Sequence, residues 1–190
     1  QEVMDCPVRC HPKLAMRLAQ NLGKDCVVSL RSREMIPAGG GITLKALFTP
    51  GHEEDHVCYY LRADRVLFSG DNILGNSSSS VRNLKQYMAS LDIMAQQKPS
   101  IICPGHGQIV HNGTARVQWY LNHRQERENQ VLAALGNGAR TVDEAVNSVY
   151  PKNLRKNLRG SAARNIRTHL TKLQEEDKVV EQEATYTLKG

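Results

Sequence analysis

Apolar positions in the first hundred residues alternate between a period of two and a helical period. Residues 7–10 read as a short strand, and Leu14, Ala15, Leu18 and Leu22 then share one face of a helix. Pro12 opens that helix and Gly23 stands at its C-terminal cap. Strands are predicted at 27–30, at Ile42–Phe48, whose side chains alternate, and at Val57–Leu61 with 66–68, a hairpin pair around Ala63 and Asp64. Residues 81–97 read as an amphipathic helix through Leu84, Tyr87, Met88, Leu91 and Met94. Residues 100–103 form a buried strand that Pro104 and Gly105 stop. Beyond Asn112 the pattern is helical: 114–135, broken at Gly136-Asn137-Gly138, then a helix opened by the capping-box pair Thr141 and Glu144, then 162–174. Two short strands, 179–180 and Thr185–Leu188, finish the chain. Residues 77–80, four serines in a row, read as a mobile loop.

At 190 residues, with 40% hydrophobic and 23% charged positions, the chain is long enough for a packed core and too apolar for general disorder. Its longest apolar runs are only a few residues, whereas a bilayer span needs about 20, so no membrane crossing is expected. The five cysteines lack disulfide-framework spacing, which suits a reduced, intracellular protein. The net charge of +6 is unevenly placed, since no acidic residue lies between Ala145 and Gln174. That window holds Lys152, Arg155, Lys156, Arg159, Arg164, Arg167 and Lys172. Such a bias suits an anionic partner.

Three short motifs carry candidate chemistry. Thr49-Pro50-Gly51-His52, Phe68-Ser69-Gly70-Asp71 and Cys103-Pro104-Gly105-His106-Gly107 each follow an apolar strand, and each places a metal-ligand type directly after a glycine. Imidazole and carboxylate suit zinc, and turns at strand ends gather ligands at one edge of a sheet. Glycine lets the backbone bend there without a side chain in the way. One such motif alone is an ordinary turn; three together point to a metal centre. His56 is expected to take a supporting or a surface role rather than to ligate, His111 and His123 to be hydrogen-bonded structural residues, and Cys103 to be inert core. Trp119 is expected to pack the long helix onto the sheet.

In these motifs, and in their intervals of 19 positions from His52 to Asp71 and 35 from Asp71 to His106, the chain resembles the metallo-β-lactamase superfamily. Within it the chain is most similar to the β-lactamase-like protein 2 family of animal endoribonucleases. The likeness continues through Gln86-Tyr87-Met88, residues 104–112, His123-Arg124 and Arg127-Glu128, and so covers nearly the whole chain. The resemblance implies an α/β fold, an αββα sandwich followed by a small winged-helix domain. The expected segments are 1–110 for the sandwich part, 111–138 for a connecting helix and 139–190 for the winged helix. It further implies two zinc ions, with His52 on one, His106 on the other and Asp71 bridging, and the mitochondrial matrix as compartment, with the cytoplasm as the other option.

The superfamily's His-x-His-x-Asp-His motif, which supplies the other four ligands, does not occur in this sequence. The catalytic acid or base is therefore unassigned. The expectation is a chain lacking the N-terminal part of its sandwich, inactive alone, with one side of the strand Ile42–Phe48 uncovered. Glu53 also departs from the family, which usually carries threonine there. For the complete protein the implied activity is zinc-dependent cleavage of single-stranded RNA, with Lys152, Arg155, Lys156, Arg164, Arg167 and Lys172 along the phosphate backbone. Two alternatives stand beside it. One is a small-molecule thioester hydrolase of the same superfamily; the other is a non-catalytic remnant that binds RNA or protein.

Overall fold

The computed structural model describes residues 6–189. In chain order the elements are β1 (Val8–Cys10), α1 (Pro12–Leu22), a 3-10 turn (Lys24–Cys26), β2 (Val27–Ser29), β3 (Met35–Gly39), β4 (Ile42–Phe48), β5 (Val57–Leu61), β6 (Val66–Gly70), α2 (Leu84–Gln96), β7 (Ile101–Pro104), α3 (Gly113–Gly136), α4 (Val142–Val149), α5 (Lys156–Glu175), β8 (Val179–Gln182) and β9 (Thr185–Leu188). The chain divides into two compact units. The first takes the residues up to Ser80 together with Gln86–Tyr120; the second takes Val81–Lys85 and the chain from Leu121 onward.

The first unit is built on a five-stranded sheet in the order β3-β4-β5-β6-β7. Its pairs are antiparallel from β3 to β6, and β7 lies parallel to β6. Two reversals separate β4 from β6, so β4, β6 and β7 all run the same way and end at the same edge. On one face the register lines up Leu47 with Cys58, Tyr60 with Leu67, and Leu67 with Ile102, all buried. Helix α2 lies on this face: Met94 meets the Cys58 thiol at 3.8 Å, and the Tyr60 hydroxyl donates to the Gln97 carbonyl at 2.8 Å just past the helix end. Its buried side chains Leu84, Tyr87, Leu91 and Met94 are those the helical spacing predicts.

The other face is also apolar but only partly covered. Leu44 stands opposite Leu61 and Ala46 opposite Tyr59; Ile42 keeps 48% of its surface and Phe68 40%. Cover comes near Phe48, whose ring centroid lies 4.3 Å from that of His11, the residue capping α1. Ion pairs Lys13–Glu54, at 2.7 Å, and Arg17–Asp55 fasten α1 to the loop before β5.

The second unit packs the rest of α3 with α4, α5 and the hairpin β8–β9. Val131 and Leu135 meet Val146, Ile166, Leu170, Leu173 and Val179 in one core. Thr141 and Glu144 form the predicted capping box at the start of α4. Helices followed by a two-stranded wing give the winged-helix order that the resemblance implies.

Three elements depart from expectation. Strand β3 is absent from the sequence reading because Pro37 and a nearly all-exposed pattern hide an edge strand. Helix α2 starts at Leu84, not at 81, since Val81 is buried without being helical and so mimics the apolar repeat. Helix α5 starts at Lys156, not at 162, because its first six residues are all exposed and carry no periodic signal.

Candidate metal centre

His52, Asp71 and His106 follow the ends of β4, β6 and β7, the three strands that run in the same sense. The sheet topology therefore brings together residues spread over 55 positions. Asp71 sits between the two imidazoles. Its Oδ2 lies 3.7 Å from His52 Nε2 and its Oδ1 lies 3.6 Å from His106 Nε2. Both distances exceed hydrogen-bond range. They are close to the roughly 3.4 Å that separates nitrogen and oxygen ligands on one tetrahedral metal with bonds of about 2.0–2.2 Å.

The orientation of His52 supports the same use. Its Nδ1 lies 2.8 Å from the Ser80 carbonyl. A carbonyl only accepts, so Nδ1 carries a proton and Nε2 is the nitrogen turned toward Asp71. The donor set fits a divalent metal, which His52, Asp71 and His106 would hold. Among the described residues no group of three or more His, Cys, Asp or Glu side chains is placed to hold one ion. What the geometry shows is Asp71 between two imidazoles, one on each carboxylate oxygen. The His106 side chain is 78% exposed, against 21% for His52, so the centre is open on the His106 side.

The glycines do different jobs. Gly51 and Gly70 have positive φ, 136° and 50°. A Cβ on Gly51 would stand 2.5 Å from Tyr87 backbone and Cβ atoms; one on Gly70 would stand 2.7 Å from His56 Nε2. Gly105 has no positive φ, and bending is not its reason. A Cβ there would fall 2.6 Å from Asp71 Oδ1, so glycine leaves room for the Asp71 carboxylate. The Gly105 N–H donates to the Gly70 carbonyl at 2.8 Å, tying the second motif to the third.

His56 precedes β5, which runs opposite to β4, and so lands at the same edge. The Asp71 N–H donates to its Nε2 at 3.3 Å, which leaves Nδ1 protonated and 3.0 Å from Thr49 Oγ1. Burial, and after it the charge of His52, pushes His56 down to about 4. It is a neutral prop under the Asp71 turn and not a ligand. Read in the sequence only as a mobile loop over 77–80, the segment 72–80 touches both histidines through its backbone: Ser80 accepts from His52 and the Gly75 N–H donates to the His106 carbonyl at 3.1 Å. Runs of Ser and Gly give no signal of such a role. Trp119 does not serve as the expected packing residue; it is 44% exposed with the Arg116 guanidinium 4.7 Å from its ring centre.

Of the cationic candidates in the second unit, Lys152, Arg155, Lys156, Arg164 and Arg167 are exposed. Lys156, Arg164 and Arg167 fall on one solvent-facing stripe of α5, at spacings of eight and three. Lys172 does not join them. It is buried and paired at 2.7 Å with both Glu128 and Glu176, so its charge is spent inside the unit. His169, on the same helix, is also buried.

Residues 25–106 match the family model of the metallo-beta-lactamase superfamily, and residues 141–187 match that of the beta-lactamase associated winged helix domain. A Drosophila melanogaster protein named beta-lactamase-like protein 2 homolog is 37% identical over 142 residues, covering 73% of this chain and 48% of that protein. An Aspergillus fumigatus protein named atrochrysone carboxyl ACP thioesterase is 36% identical over 122 residues, covering 58% of this chain and 39% of that one. The chain thus spans half or less of the length of these relatives. A crystal structure of a metallo-beta-lactamase family protein from Thermus thermophilus superposes with a TM-score of 0.73 at 23% identity, over 99% of this chain and 73% of that one. At that identity it speaks for the fold alone.

Proposed function

We propose, from a chain that belongs to the metallo-β-lactamase superfamily and carries that superfamily's associated winged helix behind it, that the protein is a zinc-dependent endoribonuclease acting on single-stranded RNA. The observation that carries the substrate class is the winged-helix unit's exposed set Lys152, Arg155, Lys156, Arg164 and Arg167, in a stretch without any acid. Such side chains track a phosphate backbone with little sequence preference.

His52, Asp71 and His106 would hold the zinc ions. Bound there, zinc supplies Lewis acidity toward the attacked phosphorus and its leaving oxygen, and makes water a usable nucleophile near neutral pH. The chain's own part is to fix the ligands. The Ser80 carbonyl holds the His52 ring, His56 holds the Asp71 backbone, and Gly105 leaves room for the carboxylate. Asp71 is the member with no substitute, since an amide offers no anionic oxygen to each side.

A second reading, hydrolysis of a thioester, is favoured by the relative named as an acyl-carrier thioesterase. The two separate in one experiment with the full-length protein and zinc, offered a labelled single-stranded RNA and an acyl thioester in parallel. RNA cleavage that weakens steeply with salt and is lost in Asp71→Asn supports the nuclease. Thioester turnover indifferent to salt, without RNA cleavage, replaces it.

A further inference from the structure

The loop 72–80 has no regular structure, yet it holds both histidines of the centre: its Ser80 carbonyl accepts from His52 Nδ1 and its Gly75 N–H donates to the His106 carbonyl. Two residues of α3 hold the loop itself. Arg116 places Nη2 within 2.8 Å of the Leu74 carbonyl, 3.0 Å of Gly75 and 3.1 Å of Ser77. The buried Tyr120 hydroxyl accepts from the Leu74 N–H at 2.9 Å and donates to the Ser77 carbonyl at 2.7 Å. The guanidinium is in turn seated over the rings of Trp119, at 4.7 Å, and Tyr120, at 5.2 Å.

We propose that Arg116 and Tyr120 form a latch that sets the orientation of His52 and His106 through the loop, and so act as positioning residues of the metal centre. Five contacts from one helical turn converge on Leu74, Gly75 and Ser77. Ile73 pins the start of the loop in the core, but from Gly75 to Ser80 it carries only Gly, Asn and Ser, so there its backbone is where fixing must occur. The crossing of loop and third motif is tight. A Cβ on Gly75 would lie 2.3 Å from Gln108 backbone atoms, so a displacement of the loop is passed directly to the segment carrying His106. Arg116 is suited to this task because its planar, always charged guanidinium lies over the Trp119 and Tyr120 rings while one terminal nitrogen reaches all three carbonyls; an ammonium has no flat face to seat in that way. Partners that fix the orientation of metal-ligating histidines typically change metal affinity by about tenfold to a hundredfold when removed.

The proposal rests on the metal-centre reading for one of its two readouts only. The first is taken without metal, by amide hydrogen exchange at Gly75 and by the nitrogen chemical shifts of the His52 ring, which report which nitrogen bears the proton. In Arg116→Ala the Gly75 amide should exchange at least about tenfold faster and the His52 ring should lose its single tautomer, with Arg116→Lys in between. The second is cobalt affinity by chelator competition, expected to fall about tenfold or more in the same order. Tyr120→Phe, which keeps the ring and removes only the hydroxyl, should show a smaller shift in both and covers the case in which Arg116→Ala does not fold. If the wild-type chain binds no cobalt while Gly75 and His52 respond, the metal reading fails and the latch stands. Unchanged Gly75 exchange and His52 shifts in folded Arg116→Ala or Tyr120→Phe overturn the latch.

Discussion

The N–H of Asp71 donates to the Nε2 of His56 at 3.3 Å, so the central carboxylate is held from beneath by a ring whose burial keeps it neutral. His56 in turn reaches Thr49 Oγ1, itself buried at the end of β4, and so links two of the three motifs. Replacing His56 with alanine strands the Asp71 N–H, while the Thr49 hydroxyl keeps the Leu47 carbonyl at 3.4 Å and the Cys58 sulfur at 3.2 Å. The expected cost is about 1–3 kcal/mol for the polar group left without a partner, read from denaturant unfolding. Metal affinity should drop by about tenfold, because the Asp71 turn loses its support. Unfolding at the wild-type denaturant midpoint would show that water replaces the ring without loss.

Gly51→Ala and Gly105→Ala should fail in different ways. At Gly51 a Cβ meets the Tyr87 Cα at 2.5 Å and the backbone at φ 136°, neither of which can yield, so the first unit should lose more than about 2 kcal/mol. At Gly105 the clash is with the Asp71 carboxylate, a side chain that can rotate aside. Stability should change by less than about 1 kcal/mol while metal affinity falls, a split that calorimetry and metal titration read separately.

These glycines mark how far the sequence was readable. The three motifs stand out because each puts a ligand type after an apolar strand, and the strand directions then oblige them to meet. The helix carrying Leu84, Tyr87, Leu91 and Met94 and the Thr141 cap were legible for the same reason: their signal is local. What supports the site was not, since Ser80 and Gly75 act through backbone atoms and Arg116 through three carbonyls some 40 residues away. Lys172 misled because a lysine destined for a buried ion pair has the same letter as one facing solvent.

Lys172 supplies the next prediction. Its ammonium is buried in the second unit with Glu128 Oε2 at 2.7 Å and Glu176 Oε1 at 2.7 Å. Burial acts to lower its pKa, but the hydrogen bonds it donates to Glu128 and Glu176 outweigh that and raise it. Removing the amine alone, as Lys172→Met, leaves the buried Glu128 with only the more distant Lys178, at 3.9 Å; the loss expected is up to about 3–5 kcal/mol in the second unit. The double variant Lys172→Met with Glu128→Leu should recover most of it. Any weakening of RNA binding in the double variant would return Lys172 to the cationic surface from which its burial removes it.

His169 gives the second unit a dependence on pH whose sign can be worked out. The side chain is buried, and neither ring nitrogen has a hydrogen-bond partner among the described residues. Burial first, and then the charges of Arg124 and Arg127 on α3, Lys172 on α5 and His123 on α3, push it from 6.5 down to about 3. In the unfolded chain the ring takes up its proton as the pH falls through about 6.5, while in the folded unit it stays neutral until about 3. Over that window the unfolded state binds the extra proton, so stability falls as pH falls, at no more than about 1.4 kcal/mol per unit from this one group. Above 6.5 both states hold a neutral ring and the effect is gone. His169→Leu keeps the volume apolar and cannot protonate. Its unfolding free energy, subtracted from that of the wild type at each pH, should be flat above about 7 and show the variant gaining steadily below 6. A difference that stays level down to pH 4 would mean that the folded ring takes up its proton as readily as the unfolded one, and that burial does not keep it neutral.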